Sequence, residues 1–426
     1  MWWAEPSTDD VYYDFTVPVH HNYLASGIFH HNSGHGKTQC MQYNIVQDIK
    51  DGKSVIVIDS QNEMIQKILN MDIDKERIVY VNPEDIEHPI ALNLFATGKE
   101  RFEQYNAQEK EQLRTSIIEL YEYVLASIMD TSLSGQQSVI FRYVTRLLLE
   151  IPDATLKTFL DVLEQPASAY SEYIDKLDDV AKSFFYNQFD DNEFKRMRKA
   201  VIRRLYLILE NSTFERMFSQ PESTLDLFEE INQGKVILVN TSQAMLKEQG
   251  LRTLGRFFIA LLAQASAERA LSTYKHPTIC YIDEAHEYLD KNISVLLAQA
   301  RKQRIGLFMA HQYLGQASND VRQALMANTS IKLAGSMSNA DARAMASEMN
   351  ADPKLIQTQA PHHWTLYAKG VTAQAVPVRY PVGYLERQEQ RGDFDMLIEH
   401  QRLTYGVAPK PKEAPEPEED TEEWKW

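Results

Sequence analysis

The chain has 426 residues, 44% of them hydrophobic and 24% charged, with a formal net charge of −16. Such a composition suits a soluble globular protein of two or three domains. It argues against a surface that binds nucleic acid everywhere and leaves room for a local basic channel. No apolar run approaches the ~20 residues needed to span a bilayer; the richest, RFFIALLAQA (256–265), reads as a buried helix. The start, MWWAEPSTDD, is acidic and lacks the basic n-region of a signal peptide. Cys40 and Cys280 fall in apolar segments, so a reduced, cytoplasmic setting is expected.

The first segment in chain order is VYYDFTVPVHHNYLASGIFHHN, followed by Ser33. Strand-like runs at 11–17 and 23–29 flank a Pro/His/Asn turn, which predicts a small β segment. The stretch resembles the C-terminal splicing block of inteins: Asp14 fits its aspartate, His21 its internal histidine, His31 the penultimate histidine and Asn32 the terminal asparagine. In the reaction that this resemblance implies, the Ser33 hydroxyl receives the upstream acyl group. The Asn32 side-chain amide then attacks its own carbonyl carbon, forming a succinimide and freeing the segment. His31 polarises that carbonyl, His21 moves protons near neutral pH and Asp14 orients the branched intermediate. A metal-binding histidine tract and a degenerate phosphate loop behind a leader are the plainer alternatives.

FHHNSGHGKT (29–38) ends like the phosphate loop G-x-x-x-x-G-K-[ST], whose backbone N–H groups and lysine hold phosphates. Ser33, Gly34, His35, Gly36, Lys37 and Thr38 fit the nucleotide-binding half, whereas His31 stands where the first glycine belongs. Joining a segment that ends in Gly-x to Ser33 would complete the loop. The chain therefore reads as the C-terminal product of a split or interrupted intein gene, with an N-terminal intein/ATPase fragment as its trans-splicing partner. The strand that feeds the loop is expected on that fragment.

Behind Thr38, QCMQYNIVQDI continues as an amphipathic helix. KSVIVIDS (53–60), RIVYVNP (77–83), GKVILVNTS (234–242), PTICYIDEAHEYL (277–289) and IGLFMAHQ (305–312) read as core strands. Strands alternating with helices predict a doubly wound α/β domain. Asp283 at a strand tip suits Mg²⁺ coordination together with Thr38, Glu284 suits the base that orients the attacking water, and Gln312 suits a γ-phosphate sensor.

The order and wording of these pieces resemble the HerA/FtsK superfamily, above all conjugative coupling ATPases of the TraG/TraD type. The resemblance covers roughly residues 33–95 and 230–350. It implies a RecA-like P-loop sheet with an inserted all-α domain, here preceded by a short β-type intein C-segment. It also implies ATP and Mg²⁺ as cofactors, a homo-hexameric ring, DNA in a central pore, and secretion or relaxase partners. Carried over by position, Arg301 matches the arginine that reaches the neighbouring subunit's γ-phosphate, with Arg304 a rival and a plain surface role the alternative.

Residues 96–230 carry helical periodicity and little strand signal, and 231–395 complete the core. EFKRMRKAVIRRL (193–205) concentrates Lys195, Arg196, Arg198, Lys199, Arg203 and Arg204. These fit phosphate contact with DNA or a solvated helix face paired with nearby acids. Residues 396–426, rich in Pro, Glu and Lys towards their end, are expected to form a disordered acidic tail. The function this implies is a DNA-translocating motor made as an intein-containing precursor. A viral DNA-packaging or protein-secretion motor and an inactive relic or scaffold remain as rivals.

Overall fold

A computed structural model describes residues 36–93, 138–242, 252–288, 300–311, 319 and 321–408. It also describes the backbone at 6–7, 10–11, 27–30, 135–137, 243–251 and 320, together with residue 95 and parts of 101–118. Nine strands form one sheet: β3 (Gly27–His30), β4 (Ser54–Asp59), β5 (Ile78–Val81), β6 (Val236–Asn240), β7 (Thr278–Ile282), β8 (Ile305–His311), β9 (Ile331–Ala334), β10 (His363–Ala368) and β11 (Val376–Arg379). Their order across the sheet is β11-β10-β9-β3-β8-β7-β4-β6-β5. Strands β3 to β9 pair in parallel, and β10 runs antiparallel to both β9 and β11. A separate two-stranded antiparallel pair joins β1 (Pro6–Ser7) and β2 (Asp10–Val11).

The central strands are apolar on both faces because both faces are covered. Ile56, Ile58, Val79, Val81, Ile237, Val239, Cys280 and Ile282 turn to one core. Their neighbours Val55, Val57, Ile78, Tyr80, Val236, Leu238, Ile279 and Tyr281 turn to the other. The period of two along each strand thus reads out as two hydrophobic layers. The helix Lys37–Lys50 packs Cys40, Met41, Ile45 and Val46 into the second layer. The helix Gln243–Arg269 covers the first with Leu254, Phe258 and Leu262. This is the α/β architecture expected from the strand–helix alternation.

Two findings differ from the sequence reading. The first concerns β3. The strand leading into the phosphate loop was expected on another polypeptide, yet Gly27–His30 fills the slot between β8 and β9 in parallel register, with Ile28 opposite both Met309 and Lys332. A gap there would leave two rows of buried backbone donors and acceptors unpaired, which is costly. The apolar GIFH run just upstream of the helix closes it. The other strand expected near the N-terminus, 11–17, lies largely outside the described residues.

The second concerns the tail. The boundary at 396 falls inside a helix, Phe394–Tyr405, which buries Leu397, Gln401 and Tyr405. Gln401 accepts from the Tyr80 N–H at 2.8 Å and donates to the Ile78 carbonyl at 2.9 Å. Its amide thereby occupies the free edge of β5, where open strand groups would otherwise invite pairing. Residues 409–426 lie outside the described residues.

The insertion is helical, as expected, with helices Gly135–Glu150, Leu156–Glu164, Asp179–Asn187, Asn192–Leu209 and Ser212–Phe218. Residues 119–134 of the insertion lie outside the described residues. The insertion is fastened where it leaves and rejoins the sheet. Thr224 and Ala91 exchange hydrogen bonds, and the Asn93 amide donates to the carbonyls of Ala154 and Pro221. Phe141, Phe159, Leu205 and Phe214 belong to the same apolar cluster as the sheet's first layer.

Candidate active site

In a parallel sheet, loops and helix starts converge at the carboxyl edge, and ligands bind there. Along that edge lie the ends of β3, β4, β7 and β8 and the start of the helix Lys37–Lys50. Gly36 caps that helix at φ +88°, a left-handed conformation that favours glycine. Lys37 and Thr38 form its first turn and are half-buried.

Strand β7 delivers Asp283 and Glu284 to the same edge. Asp283 is buried, and its N–H donates to the Ile58 carbonyl at 3.1 Å. Burial pushes its carboxyl up to about 6; the Lys37 charge pulls it back, and Glu284 and Asp59 add to the rise. Glu284 sits at φ +46°, an uncommon conformation for a residue with a Cβ. Strain of this kind persists where the surroundings over-determine it, and it clusters at active sites. Lys37 Nζ meets Glu284 Oε1 at 2.9 Å, across 247 residues of sequence, with both side chains largely buried. His286 Nδ1 lies 3.4 Å from Glu284 Oε2, and its Nε2 lies 3.3 Å from Glu287 Oε1. The site therefore holds a cation beside two carboxylates.

Asp59, at the tip of β4, accepts from the N–H groups of Gln61, Met64 and Ile65. It satisfies first-turn N–H groups of the helix Glu63–Leu69, whose N-cap is Asn62, and is buried; desolvation raises its pKa despite those donors. Thr241 bridges the Asp59 carbonyl and the Tyr288 hydroxyl, at 3.0 and 2.8 Å. Neither Asp59 nor this bridge was singled out in the sequence, although Asp59 closes an apolar run in the same way as Asp283.

The other candidate residues separate clearly. Arg301 and Arg304 are exposed at the amino end of β8, which spans seven residues, roughly 20 Å from its carboxyl end. Arg304 Nη1 donates to the Lys275 carbonyl at 3.4 Å. In the basic helix Asn192–Leu209, Lys195, Arg196, Lys199 and Arg203 are exposed and Arg204 is half-buried. Arg198 departs from that group. It is buried, donates to the Gln165 carbonyl and to Asp190, and stacks 4.0 Å from the Phe189 ring centroid. The helical period turns it towards the core, so it is a packing cation with no surface to offer a phosphate. Asp14, His21, His31, Asn32, Ser33, Gly34, His35 and Gln312 lie outside the described residues.

The far side of the helix Lys37–Lys50 carries residues that the sequence did not flag. Tyr43 meets Tyr380 edge-on at 5.7 Å and Tyr384 at 4.9 Å. Gln39 accepts from the Gly383 N–H at 2.6 Å, and Gln47 donates to the Tyr384 hydroxyl at 2.8 Å. The segment after β11 is thereby bound to the helix that follows the phosphate loop.

Among the described residues, no helix is long and apolar enough to cross a membrane. No protein-family model matches the chain, and no curated protein sequence matches it. Solved structures do match. The unbound bacterial conjugative coupling protein TrwBΔN70 is 13% identical over 86% of this chain and 87% of its own, with a TM-score of 0.59. TrwB in complex with ADP and Mg²⁺ is 14% identical, covering 84% and 85%, with a TM-score of 0.54. VirB4 of Thermoanaerobacter pseudethanolicus is 14% identical, covering 84% and 90%, with a TM-score of 0.56. At these identities the likeness is one of fold: over most of its length this chain is built like TrwB and VirB4.

Proposed function

We propose that the chain is the ATPase core of a DNA-translocating motor of the conjugative coupling or type IV secretion kind. The observation that carries this reading is the meeting of Lys37 with Glu284 and Asp283 at the carboxyl edge of a parallel sheet. Lys37 binds the β- and γ-phosphates of ATP, and the first N–H groups of its helix point at the same anion. Thr38 and Asp283 are the residues that hold Mg²⁺. Asp283 fits because its carboxylate is buried and short of positive charge. Among the described residues, no three acidic, His or Cys side chains form a cage, which suits an ion that takes much of its shell from phosphates and water. Mg²⁺ supplies charge neutralisation across the phosphates.

In the structure Glu284 pairs with Lys37. Phosphates that draw the lysine away free the carboxylate to orient water. Gln312 follows β8 and serves as the γ-phosphate sensor. Arg301 stands at the opposite end of β8 from this edge, so it acts on a neighbouring subunit's nucleotide in a hexameric ring. Lys195, Arg196, Lys199 and Arg203 supply non-specific phosphate contacts to DNA. The TrwB structures in complex with ATP and GTP analogues and with ADP and Mg²⁺ support the nucleotide half of the proposal. The test is Mg²⁺-dependent ATP hydrolysis by the full chain, with Lys37→Ala and Glu284→Gln as controls. Turnover that survives both substitutions overturns it.

We further propose that residues 1–32 are an intein C-terminal segment acting through Asp14, His21, His31, Asn32 and Ser33, and that an N-terminal intein/ATPase fragment is its partner. A second reading rests on β3. Because Gly27–His30 already pairs in the slot that leads to the loop, the chain would be a motor core with a histidine in place of the first loop glycine and no splicing. Intact mass of the protein recovered from its native cells separates the two. A foreign peptide joined to Ser33 supports splicing, and an uncut chain starting at Met1 supports the second reading.

A further inference from the structure

Three independent features meet at His362, just ahead of β10. Its backbone lies at φ +64°, in the left-handed region that residues with a Cβ seldom occupy, though histidine does so more often than most. Its Nδ1 is buried and has no hydrogen-bond partner among the described residues. Its ring packs against Gly36, so closely that a Cβ built on that glycine would overlap Nδ1 and lie 3.1 Å from Cε1. The sheet explains how it comes to be there. β10 is antiparallel to β9, with Thr365 opposite Ala334 and Ala368 opposite Ile331. The start of β10 therefore lies at the carboxyl ends of the parallel strands, beside the helix that Gly36 caps.

A buried polar atom without a partner calls for an explanation, and positive φ at a residue with a Cβ points to a local constraint. Here both fall on one side chain in contact with the glycine of G-K-T. Packing alone would be met by an apolar ring, which would leave no orphaned nitrogen. We infer that His362 is a nucleotide-site residue, whose ring nitrogen hydrogen-bonds the phosphate chain of a nucleoside triphosphate held at the start of the helix Lys37–Lys50. The residue comes from the antiparallel end of the sheet, so binding links that hairpin to the phosphate loop. Tyr380 strengthens the link, since its N–H donates to the His362 carbonyl at 3.4 Å and its ring packs on Tyr43. This inference rests on the nucleotide reading of the site.

The experiment is equilibrium binding of N-methylanthraniloyl-ATP to the full chain carrying His31→Gly, which restores the glycine spacing of the loop. Lys37→Ala in that chain tests the site itself. His362→Phe keeps the ring and removes the nitrogens. His362→Asn keeps a polar group at the Nδ1 position and tolerates positive φ. A hydrogen bond to a charged group is worth about tenfold or more in affinity. The expected result is a roughly tenfold loss for His362→Phe and His362→Ala and a loss within about threefold for His362→Asn. Thermal melts identify any variant that fails to fold; if His362→Ala does, the Phe and Asn pair decides. Parent-like binding by His362→Phe overturns the inference and leaves the site intact. Binding that ignores Lys37→Ala overturns the nucleotide reading, and the role of His362 with it.

Discussion

The carboxyl edge and the helical insertion both bury charge, and they do so in opposite ways. In the insertion, Arg198 has a carbonyl, a carboxylate and an aromatic face. Arg101 is gripped by Glu268, Asp226 and Glu229, with its closest contact at 2.5 Å. Each of these cations has a carboxylate partner, although the buried Arg198 Nε has none among the described residues. At the edge, Lys37 faces two carboxylates, Asp283 is raised to about 6, Glu284 is strained, and the His362 ring nitrogen is unpaired. A satisfied buried charge holds a fold together, whereas a charge left in need is free to bind something.

Substitutions can break this contrast. The largest expected effect is Glu284→Gln, which should lower ATP hydrolysis by about a hundredfold or more while nucleotide binding is kept or tightened, because Lys37 loses its competitor. Equal losses of binding and turnover would show that Glu284 holds the site together and does no chemistry. His31→Gly should strengthen nucleotide binding by about tenfold, or ~1.4 kcal/mol, if β3 feeds a working loop; an unchanged titration would disconnect β3 from the site.

Stability should move in opposite directions in the two regions. Arg198→Ala should cost about 2–3 kcal/mol in urea unfolding, since it removes a buried side chain that packs on Phe189 and leaves the Gln165 carbonyl without its donor. Asp283→Asn should instead stabilise the ligand-free chain at pH 7 by about 1–3 kcal/mol. The sign follows from the direction of the shift. A carboxyl raised in the folded state favours the protonated form, so its stability contribution is present at low pH and lost as pH rises through about 6. The gap between Asp283→Asn and the parent should therefore close on acidification towards pH 4. A gap independent of pH would mean that packing, not charge, sets it.

The smallest effects belong to the exposed helix face. Lys199→Ala and Arg203→Ala should leave stability within about 0.5 kcal/mol and each reduce the salt slope of DNA binding by about one. A fully retained slope would return that face to plain solvation.

The site's chemistry was legible where it is written locally. TICYIDE combines an apolar strand with two carboxylates at its tip, and G-K-T opens an amphipathic helix; both read directly as β7 and the helix Lys37–Lys50. The insertion was legible from helical period alone. The end of the fold was not. Pro and Glu from 409 onward masked a helix whose buried residues, Leu397, Gln401 and Tyr405, recur every four positions. Arg198 was grouped with its neighbours because composition counts charges and does not say which way a helix turns. His362 offered only a histidine doublet with no motif around it.

What the sequence alone determined is the inventory: strands apolar on both faces, a lysine at a helix start, carboxylates at a strand end, and a splicing-like block directly ahead of the loop. Those properties are set by neighbouring residues, and neighbours are what a sequence lists. Tertiary structure decided the pairings. Lys37 meets Glu284 across 247 positions, His362 reaches Gly36 only because β10 reverses direction beside β9, and Gly27–His30 enters the sheet only because β8 and β9 leave a strand-wide gap. Desolvation and hydrogen-bond satisfaction depend on what surrounds a group in space, so which charges build and which ones bind is settled only when the sheet closes.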